Sequence, residues 1–355
     1  MNDEVWVLGA TGRTGRAVGT LLHKKGIPLV LVGRDRARLN NFVTELGGAP
    51  RILEGSLDSA FARLAADTPA VVVNTVGPFT ATSLKVAQAC PPGTHYVDVA
   101  NELVAVENIL KLDRQAAKTN QVLVTGAGFG VMATESVVLR LCKDQPRPAR
   151  VRVDALASVA SEPGVLGAAL VASIVEVLAF GGREVRQGRL VRSRVAGHYA
   201  RLTTPNGENL AAGSGPSGEL IAAWHASKAE SVISASSFVP SNAFLRFILP
   251  AFLPILRLSF IRRLAVNRGA RVPLHAQERP RPYSWGHARA EWSDGRVREG
   301  WLQAGDGMDF TAAVAAEVTL RLLKGESRAG SYTPGALFGP DLAEAAGGKF
   351  IINQS

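Results

Sequence analysis

The spacing of glycines near the N-terminus constrains the fold of this chain more than any other feature. An apolar run, Val5 to Leu8, leads through Gly9-Ala10-Thr11-Gly12-Arg13-Thr14-Gly15 into a helical pattern, Arg16 to Lys25. A strand that runs into a helix needs glycine where the backbone bends, where it approaches a pyrophosphate and where the two elements pack closely. The N-terminus of the helix then offers unpaired N–H groups to phosphates. The pattern predicts a dinucleotide-binding turn, and a plain strand-to-helix turn is the alternative.

The end of the second predicted strand indicates which nucleotide is bound. Pro28 to Val32 is apolar and is followed by Gly33-Arg34-Asp35-Arg36. Proteins that bind NAD usually place an acidic residue at this strand end, where it bonds the ribose 2′-hydroxyl. Arg34 stands there instead, and a guanidinium suits a 2′-phosphate, with Arg13 or Arg38 as second contacts. The sequence therefore predicts NADP, although a solvated helix face would also explain Arg36 and Arg38.

Strands and helices continue to alternate up to about Gly126. The further predicted strands are Arg51 to Glu54, Ala70 to Asn74, His95 to Val97 and Gln121 to Val124. Alternation at this spacing predicts an α/β fold of the Rossmann type, with a doubly wound parallel sheet. Ligands of such sheets bind at the carboxyl ends of the strands.

Composition limits the classes of protein to which the chain can belong. With 355 residues and 46% hydrophobic content, the chain can bury a substantial core, and its length suggests two domains. The formal charge of +10 comes from scattered basic residues without a nucleic-acid motif, so an anionic cofactor, an anionic substrate or a membrane surface explains it better than nucleic acid. Histidine and cysteine never occur at metal-ligand spacing, so no metal is expected.

The cysteine count and the first residues bear on location. Two cysteines exclude a disulfide framework and favour the cytoplasm. The N-terminus lacks the regions of a signal peptide. We expect a cytoplasmic protein, with a membrane-peripheral location as the open alternative.

The second half of the chain predicts a different architecture. Ala149 to Ala157 alternates like a strand, and Arg289 to Trp292 and Val297 to Leu302 flank the hairpin signal Ser293-Asp294-Gly295-Arg296. Phe310 to Leu323 reads as a helix that ends near a glycine. These patterns predict a second, α+β domain with a mixed or antiparallel sheet. The predicted domains are 1–130 for the nucleotide, 131–325 for the substrate and dimer contacts, and 326–355 as a segment that packs back on the first domain.

One apolar stretch, Phe244 to Ile261, is followed by Arg262-Arg263. Two prolines and two internal arginines make it a poor membrane span. Apolar residues flanked by arginines are typical of a patch that lies at a membrane interface, or of a lid over an apolar substrate. A buried helical pair or a dimer contact explains the stretch equally well.

Several motifs occur together in a distinctive order. They are Gly9 to Gly15, Asn74-Thr75-Val76-Gly77-Pro78-Phe79, Cys90, Gly93-Thr94-His95-Tyr96-Val97-Asp98 with Glu102, and Gly126 to Gly130. In this order they resemble the saccharopine dehydrogenase-like oxidoreductases, and in particular the branch of trans-acting enoyl reductases. The resemblance covers about the first 140 residues, and Tyr332 to Gly339 also looks like that family's tail. It implies an NADP-binding Rossmann domain, then an α+β domain that supplies the substrate pocket, and a homodimer.

The candidate site residues follow from the glycine turn, the strand ends and the second domain. The predicted cofactor contacts are Gly9, Ala10, Thr11, Gly12, Arg13, Thr14, Gly15, Arg34, Arg38, Ser56, Leu57, Val76, Gly77, Pro78, Phe79, Asp98, Gly128 and Phe129. A reductase also needs a proton donor or a polarising group beside the hydride. The predicted catalytic residues are Tyr96, His198 and Tyr199, and Asp98, Glu102 and His225 are further candidates by position.

Three functions remain open at this point. The resemblance implies transfer of hydride from NADPH to a C=C bond of an unsaturated acyl, polyketide-like or lipid substrate. The broader family name implies an imine reductase or an amino-acid dehydrogenase of the saccharopine type, in which Arg183, Arg186 and Arg189 could hold a carboxylate. A non-catalytic NADP sensor or scaffold is the third, because a Rossmann fold does not fix function. A Tyr-x-x-x-Lys pair is absent from the sequence, which argues against a short-chain alcohol dehydrogenase.

Overall fold

A computed structural model of the chain describes residues 3–161, 164–165, 168–237, 256 and 258–353. The chain divides into two units, each continuous in space but not in sequence. Unit 1 comprises Met1–Ala100, Val104–Gly128 and Met308–Phe338. Unit 2 comprises Asn101–Leu103, Phe129–Gly307 and Gly339–Ser355.

Unit 1 is built on a seven-stranded sheet in which every neighbouring pair is parallel. Its strands are β1 (Val5–Leu8), β2 (Leu29–Gly33), β3 (Arg51–Glu54), β4 (Val71–Asn74), β5 (His95–Asp98), β6 (Val122–Val124) and β17 (Gly330–Tyr332). They lie in the order β17-β6-β5-β4-β1-β2-β3. This confirms the predicted doubly wound parallel sheet. All residues of β1 and β4 are buried, as expected of strands covered on both faces.

The helices of unit 1 are α1 (Arg13–Lys24), α2 (Arg36–Leu46), α3 (Leu57–Asp67), α4 (Phe79–Ala89), α5 (Leu103–Leu110), α6 (Asp113–Lys118), α11 (Gly307–Leu323) and α12 (Pro334–Phe338). Bounds were predicted for two of them, and α1 and α11 each begin three residues before the predicted starts, Arg16 and Phe310. Helix α1 begins at Arg13 and not at Arg16, because Gly12 already has the extended conformation of an N-cap. Its buried face includes Val18 and Leu22.

Unit 2 contains a mixed sheet, also as predicted. Its strands are β7 (Arg150–Leu156), β9 (Arg183–Arg186), β10 (Arg189–Arg192), β11 (Ala200–Thr203), β12 (Asn209–Ser214), β13 (Ser231–Ser236), β15 (Ser284–Glu291), β16 (Val297–Ala304) and β18 (Lys349–Asn353), with β8 (Gly164–Val165) and β14 (Pro273–Leu274) as a separate pair. The main order is β10-β9-β13-β7-β15-β16-β18, and β12 pairs with both β13 and β11. Only β7 and β13 run parallel among these described pairs.

The helices of unit 2 are α7 (Phe129–Cys142), α8 (Ala168–Phe180), α9 (Gly218–Ser227), α10 (Ser259–Gly269) and α13 (Asp341–Ala345). Helices α7 and α9 contact the sheet, where a Cβ on Gly286 would lie 2.6 Å from the Cβ of Ala133. The approach of helix to sheet at this point therefore requires glycine. The apolar core of unit 2 includes a buried cluster that contains Leu156, Ala212 and Trp285.

The predicted hairpin is present, but its first strand is longer than predicted. Strand β15 begins at Ser284, five residues before the predicted Arg289. The turn closes through a hydrogen bond from Trp292 N–H to the Arg296 carbonyl of 2.9 Å, and Gly295 has a φ of 87°, which favours glycine.

The C-terminal residues divide between the two units. Strand β17 lies beside β6 in unit 1, whereas β18 pairs with β16 in unit 2. The predicted apolar stretch, Phe244 to Ile261, lies mostly outside the described residues; only Leu256 and 258–261 are described. Among the helices that the structure describes, none is long and apolar enough to cross a membrane.

Candidate nucleotide-binding site

The glycine turn after β1 leaves no room for side chains at two positions. Gly9 has a φ of 79°, and a Cβ there would lie 2.8 Å from Thr75 Oγ1. A Cβ on Gly15 would lie 2.8 Å from the carbonyl carbon of Gly9 and still closer to its oxygen. The turn is closed by a hydrogen bond of 2.9 Å from Gly12 N–H to the Gly9 carbonyl. Both outer glycines are therefore required by the backbone geometry.

The N-terminus of α1 is prepared for an anion. No side chain caps this helix, and its first turn contains no acidic residue. The next two helices along the chain do have side-chain caps. The side-chain oxygen of Asp35 caps α2, and that of Ser56 caps α3. The first N–H groups of an uncapped helix need an outside acceptor, and the dipole makes a negative one favourable.

A cationic group lies at the end of β2. Arg34 is exposed, and within the described part of the chain its guanidinium forms no ion pair or hydrogen bond. The guanidinium of Arg38 donates a hydrogen bond of 3.1 Å to the carbonyl of Thr11, in the glycine turn. A Cβ on Gly33 would lie 3.4 Å from the methyl group of Thr11. The predicted residues of the turn and of the β2 end are therefore neighbours.

The loop after β4 packs beside the same turn. The side chain of Val76 lies 3.0 Å from where a Cβ on Gly9 would stand. The hydroxyl of Thr82 donates to the Val76 carbonyl over 2.5 Å, which fixes the loop to α4. Residues 76–79 are half-buried, and α4 has no side-chain cap, like α1.

Polar side chains tie together the carboxyl ends of β4 and β5. Asn74 donates from its amide to the Tyr96 hydroxyl over 3.2 Å and accepts from Val76 N–H over 3.0 Å. The Tyr96 hydroxyl donates to Asp98 Oδ2 over 2.8 Å. Thr75 donates to the Leu8 carbonyl over 2.7 Å, which links β4 to the glycine turn.

Asp98 extends this network to the loop after β6. Its Oδ1 accepts hydrogen bonds from Ala100 N–H, Thr125 Oγ1 and Gly126 N–H, at 3.0, 2.9 and 2.9 Å. Burial raises the pKa of Asp98 above its usual 3.8, although the backbone donors of Gly126 and Ala100 oppose that rise. Both carboxylate oxygens are thus used within the protein, so the side chain positions the loops after β5 and β6.

Tyr96 is fully buried, which bears on its predicted catalytic role. Burial raises the pKa of its hydroxyl well above the usual 10.0, and the charge of Asp98 raises it further. A buried hydroxyl that donates to Asp98 suits a positioning role better than proton donation to a substrate. Asn74, Thr75 and Thr82 complete the network and were not among the predicted site residues. A polar residue that ends the apolar run Val71 to Val73 was the available signal.

The remaining predicted cofactor residues lie at three places. Gly128, in the loop after β6, would place a Cβ 3.4 Å from the methyl group of Thr311. Phe129 begins α7 in unit 2 and is 6% exposed. Ser56 and Leu57 lie at the start of α3, where Leu57 packs on the core.

The other two predicted catalytic residues, His198 and Tyr199, belong to unit 2. His198 Nε2 lies 2.6 Å from Glu184 Oε2. The His198 side chain is 39% exposed and that of Glu184 is 5% exposed. Tyr199 is half-buried beside it. An imidazole that is oriented by a buried carboxylate and reaches the surface is a suitable general acid.

Two of the three arginines that were predicted to bind a substrate carboxylate already have partners within the protein. Arg183 donates to the Phe180 and Gly182 carbonyls at 3.2 and 2.8 Å and stacks on the Phe180 ring. Arg186 forms an ion pair with Glu184. Arg189 is exposed on β10.

A second polar network crosses the sheet of unit 2, and sequence analysis missed it. Arg152 donates to Asp154 through Nε and Nη2, the latter at 2.7 Å. His287 lies between two carboxylates, with Nδ1 2.9 Å from Asp154 Oδ2 and Nε2 2.9 Å from Glu299 Oε1. The ring of Trp301 lies 4.3 Å from that of His287, centre to centre.

The charge state of this network follows from its geometry. A neutral imidazole can donate from one nitrogen only, so two facing carboxylates require the protonated ring. Burial alone would lower the pKa of His287, but hydrogen bonds and charge from Asp154 and Glu299 raise it above 6.5. Burial alone would likewise raise the pKa of Asp154, yet its bonds to His287 and Arg152 hold it below 3.8.

Comparison with known proteins shows what the chain is similar to. No protein-family model matches it. It is 30% identical over 146 residues to a trans-acting enoyl reductase of Mycobacterium leprae, a match that covers 39% of this chain and 35% of the relative. A match to the trans-acting enoyl reductase of Mycobacterium ulcerans is 31% identical over 134 residues and covers 36% and 32%. The matched region thus spans about a third of the length of these curated relatives.

The fold has a full-length counterpart among solved structures. Saccharopine dehydrogenase (L-Glu forming) from Saccharomyces cerevisiae superposes with a TM-score of 0.62 at 13% identity, and the match covers 99% of this chain and 100% of that one. The predicted resemblance to saccharopine dehydrogenase-like and enoyl reductase-like proteins is therefore confirmed, by the fold of the whole chain and by sequence over part of it.

Proposed function

We propose that the protein is an NADPH-dependent oxidoreductase that transfers hydride to the C=C bond of an unsaturated acyl, polyketide-like or lipid substrate. Two features carry the cofactor assignment: the uncapped helix behind the glycine turn, and Arg34 at the end of β2, whose guanidinium has no ion pair or hydrogen bond among the described residues. The names of the curated relatives support reduction of an enoyl group.

The residues around the turn fit this cofactor. The N–H groups at the start of α1 would hold the pyrophosphate, because Gly9 and Gly15 let the backbone come close and no side chain competes. Arg34, with Arg38 beside it, would bind the 2′-phosphate, while Ser56 and Leu57 would lie on the adenine side. The loops after β4 and β6 would hold the nicotinamide half. When bound, NADPH supplies the hydride.

Reduction of a C=C bond also needs a proton. Hydride adds to the β-carbon, the electron pair of the double bond moves to the α-carbon, and a proton completes the product there. We assign the donation to His198, with Tyr199 as its neighbour, since Glu184 orients the imidazole and the side chain reaches the surface. Tyr96 then serves as a positioning residue for Asp98.

The test is a substrate screen followed by NADPH absorbance. We expect oxidation of NADPH with enoyl thioesters and none with cyclic imines or 2-oxo acids plus amines. Turnover with the imines alone would instead establish the imine or amino-acid reaction. Tight NADPH binding without turnover of any substrate would establish the sensor. His198→Gln should lower kcat while leaving the Kd of NADPH unchanged, and an unchanged kcat would remove His198 from the reaction.

We further propose a homodimer in the cytoplasm, bound peripherally to membranes through the apolar sequence around 244–261. The resemblance supports the dimer, and the composition of the chain supports the location. Sedimentation velocity over a range of protein concentrations tests the dimer, and a monomer at every concentration would exclude it.

A further inference from the structure

Arginines of unit 2 come together at the hairpin of β9 and β10. Its turn consists of Gln187 and Gly188, which both have a positive φ, 50° and 67°, as in the tightest hairpins. Arg186 and Arg189 therefore lie directly opposite each other on the two strands. Nη2 of Arg147 lies 3.9 Å from where a Cβ on Gly188 would stand. Arginines from two separate parts of the chain thus meet at one turn.

The strand register adds a fourth arginine on the same face of the sheet. The antiparallel register of β9 with β13 puts Arg186 level with Ser231. Ser231 in turn pairs with Arg150 of β7. Because residues that pair across strands share a face, these side chains form a row that crosses four strands. We define the arginine row as Arg147, Arg150, Arg186 and Arg189.

Most of the positive charge in the arginine row is not compensated. All four side chains are exposed. Arg186 forms an ion pair with Glu184. The guanidinium groups of Arg147, Arg150 and Arg189 form no ion pair or hydrogen bond with any residue that the structure describes. Like charges that face each other across strands destabilise a sheet, so these groups repel one another.

The neighbouring carboxylates do not remove this repulsion. Glu291 pairs in register with Arg150, but its carboxylate lies 3.1 Å from the guanidinium of Arg289. Glu230 precedes Ser231, and its exposed side chain forms no ion pair within the described ranges. An anion from outside the protein would relieve the repulsion.

Protection of the sheet edge explains only part of the arginine row. Strand β10 is an edge strand, and charged residues on an edge prevent pairing with another chain. Arg150, however, lies on the fourth strand from that edge, and Arg147 precedes β7. Two of the four arginines therefore require another explanation.

Glu184 connects the arginine row to the proposed proton donor. Its Oε1 accepts a hydrogen bond from Arg186, and its Oε2 lies 2.6 Å from His198 Nε2. Arg152, two residues after Arg150 on the same face of β7, donates to the His198 carbonyl over 3.0 Å. The arginine row therefore lies beside His198 within unit 2.

We propose that the arginine row binds the phosphate of a phosphorylated pantetheine arm, which carries the acyl substrate as a thioester. Guanidinium groups bind phosphate oxygens through paired, charge-assisted hydrogen bonds, and a phosphate offers more negative charge than a carboxylate. The phosphate and the thioester lie at opposite ends of the arm, so this contact would hold the substrate and leave its double bond free to react. Coenzyme A and acyl carrier proteins both present such an arm. The inference rests on the proposed reduction of an enoyl thioester.

Steady-state kinetics with three thioesters of one enoyl group tests the proposal. The thiols are coenzyme A, phosphopantetheine and N-acetylcysteamine, and the last has no phosphate. Arg147→Gln with Arg189→Gln should raise KM for both phosphate-bearing substrates at least about 10-fold and leave kcat unchanged. The ratio of kcat/KM for the phosphopantetheine thioester to that for the N-acetylcysteamine thioester should fall by the same factor. An effect with coenzyme A alone would place the contact on its nucleotide and contradict the assignment to the arm.

A matched variant controls for the loss of surface charge. Arg192→Gln with Arg268→Gln removes two exposed arginines of unit 2 that lie outside the arginine row. Arg192 belongs to β10 but lies three residues from Arg189, so it projects from the other face of the sheet. The control should match the wild type with all three thioesters, and neither double variant should lower the thermal midpoint. An unchanged KM in the row variant, or an equal rise in the control, would overturn the proposal.

Calorimetric titration of phosphopantetheine separates this proposal from the proposed function. Phosphopantetheine has no nucleotide that could bind at the glycine turn. It should bind the wild type at least about 10-fold more tightly than the row variant, whether or not any thioester is reduced. Absence of turnover with all thioesters would contradict the proposed reduction. Equal affinity of the wild type and the row variant would contradict the phosphate site even if enoyl thioesters are reduced.

Discussion

The two units place polar groups in their sheets in opposite ways. In unit 1 the polar side chains stand where β4 and β5 end. They hold the loops beside the N-terminus of α1, a helix that no N-cap side chain closes. In unit 2 the polar groups lie within the strands and satisfy one another through Arg152, Asp154 and His287. An arrangement that leaves donors open is suited to a ligand, whereas one that closes on itself contributes mainly to the folded state.

The comparison predicts that breaking the unit 2 network affects stability and not cofactor binding. His287→Gln removes the cation between Asp154 and Glu299 and leaves the buried Asp154 with Arg152 as its one remaining charged partner among the described residues. We expect a loss of about 3–5 kcal/mol in the free energy of unfolding, measured with urea. His275→Gln, at an exposed position, is the control and should change little. A variant that loses NADPH affinity but keeps its stability would contradict the distinction between the units.

The glycine turn should show the reverse behaviour. Gly15→Ala places a methyl group against the backbone of Gly9, so the turn must shift. We expect a cost of about 1–3 kcal/mol in stability, together with a large loss of NADPH affinity in calorimetry. Gly215→Ala is the control, since a Cβ there meets nothing within 4 Å. NADPH affinity equal to that of the wild type would show that the turn does not hold the cofactor.

The positioning role of Tyr96 predicts a smaller effect. Tyr96→Phe removes the donor to Asp98 Oδ2 and should cost about 1–2 kcal/mol in stability. It should weaken NADPH binding and leave the pH profile of kcat unchanged, because the hydroxyl does not donate to substrate. A new or displaced pKa in the pH profile of kcat would instead indicate that the Tyr96 hydroxyl donates a proton to the substrate. Tyr283→Phe, at a hydroxyl that is more exposed, is the matched control.

The smallest effect expected is the pH dependence of stability. Because the pKa of His287 is raised above 6.5, its contribution is complete below pH 6.5 and is lost as the pH rises through the folded value. Asp154 and Glu299 have lowered pKa values, so their contributions are complete above their usual 3.8 and 4.5 and are lost in more acidic solution. The network should therefore stabilise most between about pH 4.5 and 6.5. Urea unfolding from this range into more alkaline solution should show the loss above pH 6.5 in the wild type and not in His287→Gln.

Much of unit 1 could be predicted because its signals are local. The apolar runs of β1 and β4 are continuous, and each helix follows its strand directly, so period and spacing suffice. The glycine turn is likewise contained in seven consecutive residues, Gly9 to Gly15. Strand β17 is an exception, since its three residues join β6 from more than 200 positions away.

The unit 2 network could not be predicted, because it depends on register. His287 meets Asp154 only because β15 pairs with β7 in one particular alignment, across 133 positions of sequence. The start of β15 was missed because Ser284, Gly286 and His287 interrupt the apolar alternation that marks a strand. Tyr96 posed a related problem, because a strand does not reveal which polar residue it buries.

Calorimetric titration of NADPH and NADH into the wild type and Arg34→Ala tests the central claim most directly. The account predicts that the wild type prefers NADPH and that Arg34→Ala weakens NADPH binding about 10- to 100-fold, since a charge-assisted contact is lost. NADH binding should change little. Arg36→Ala, at the first residue of α2 and two residues after Arg34, is the control and should leave the affinity for both nucleotides unchanged. No binding of either nucleotide to folded wild-type protein, or an equal loss of both in Arg34→Ala, would contradict the assignment of the glycine turn and the β2 end to NADP.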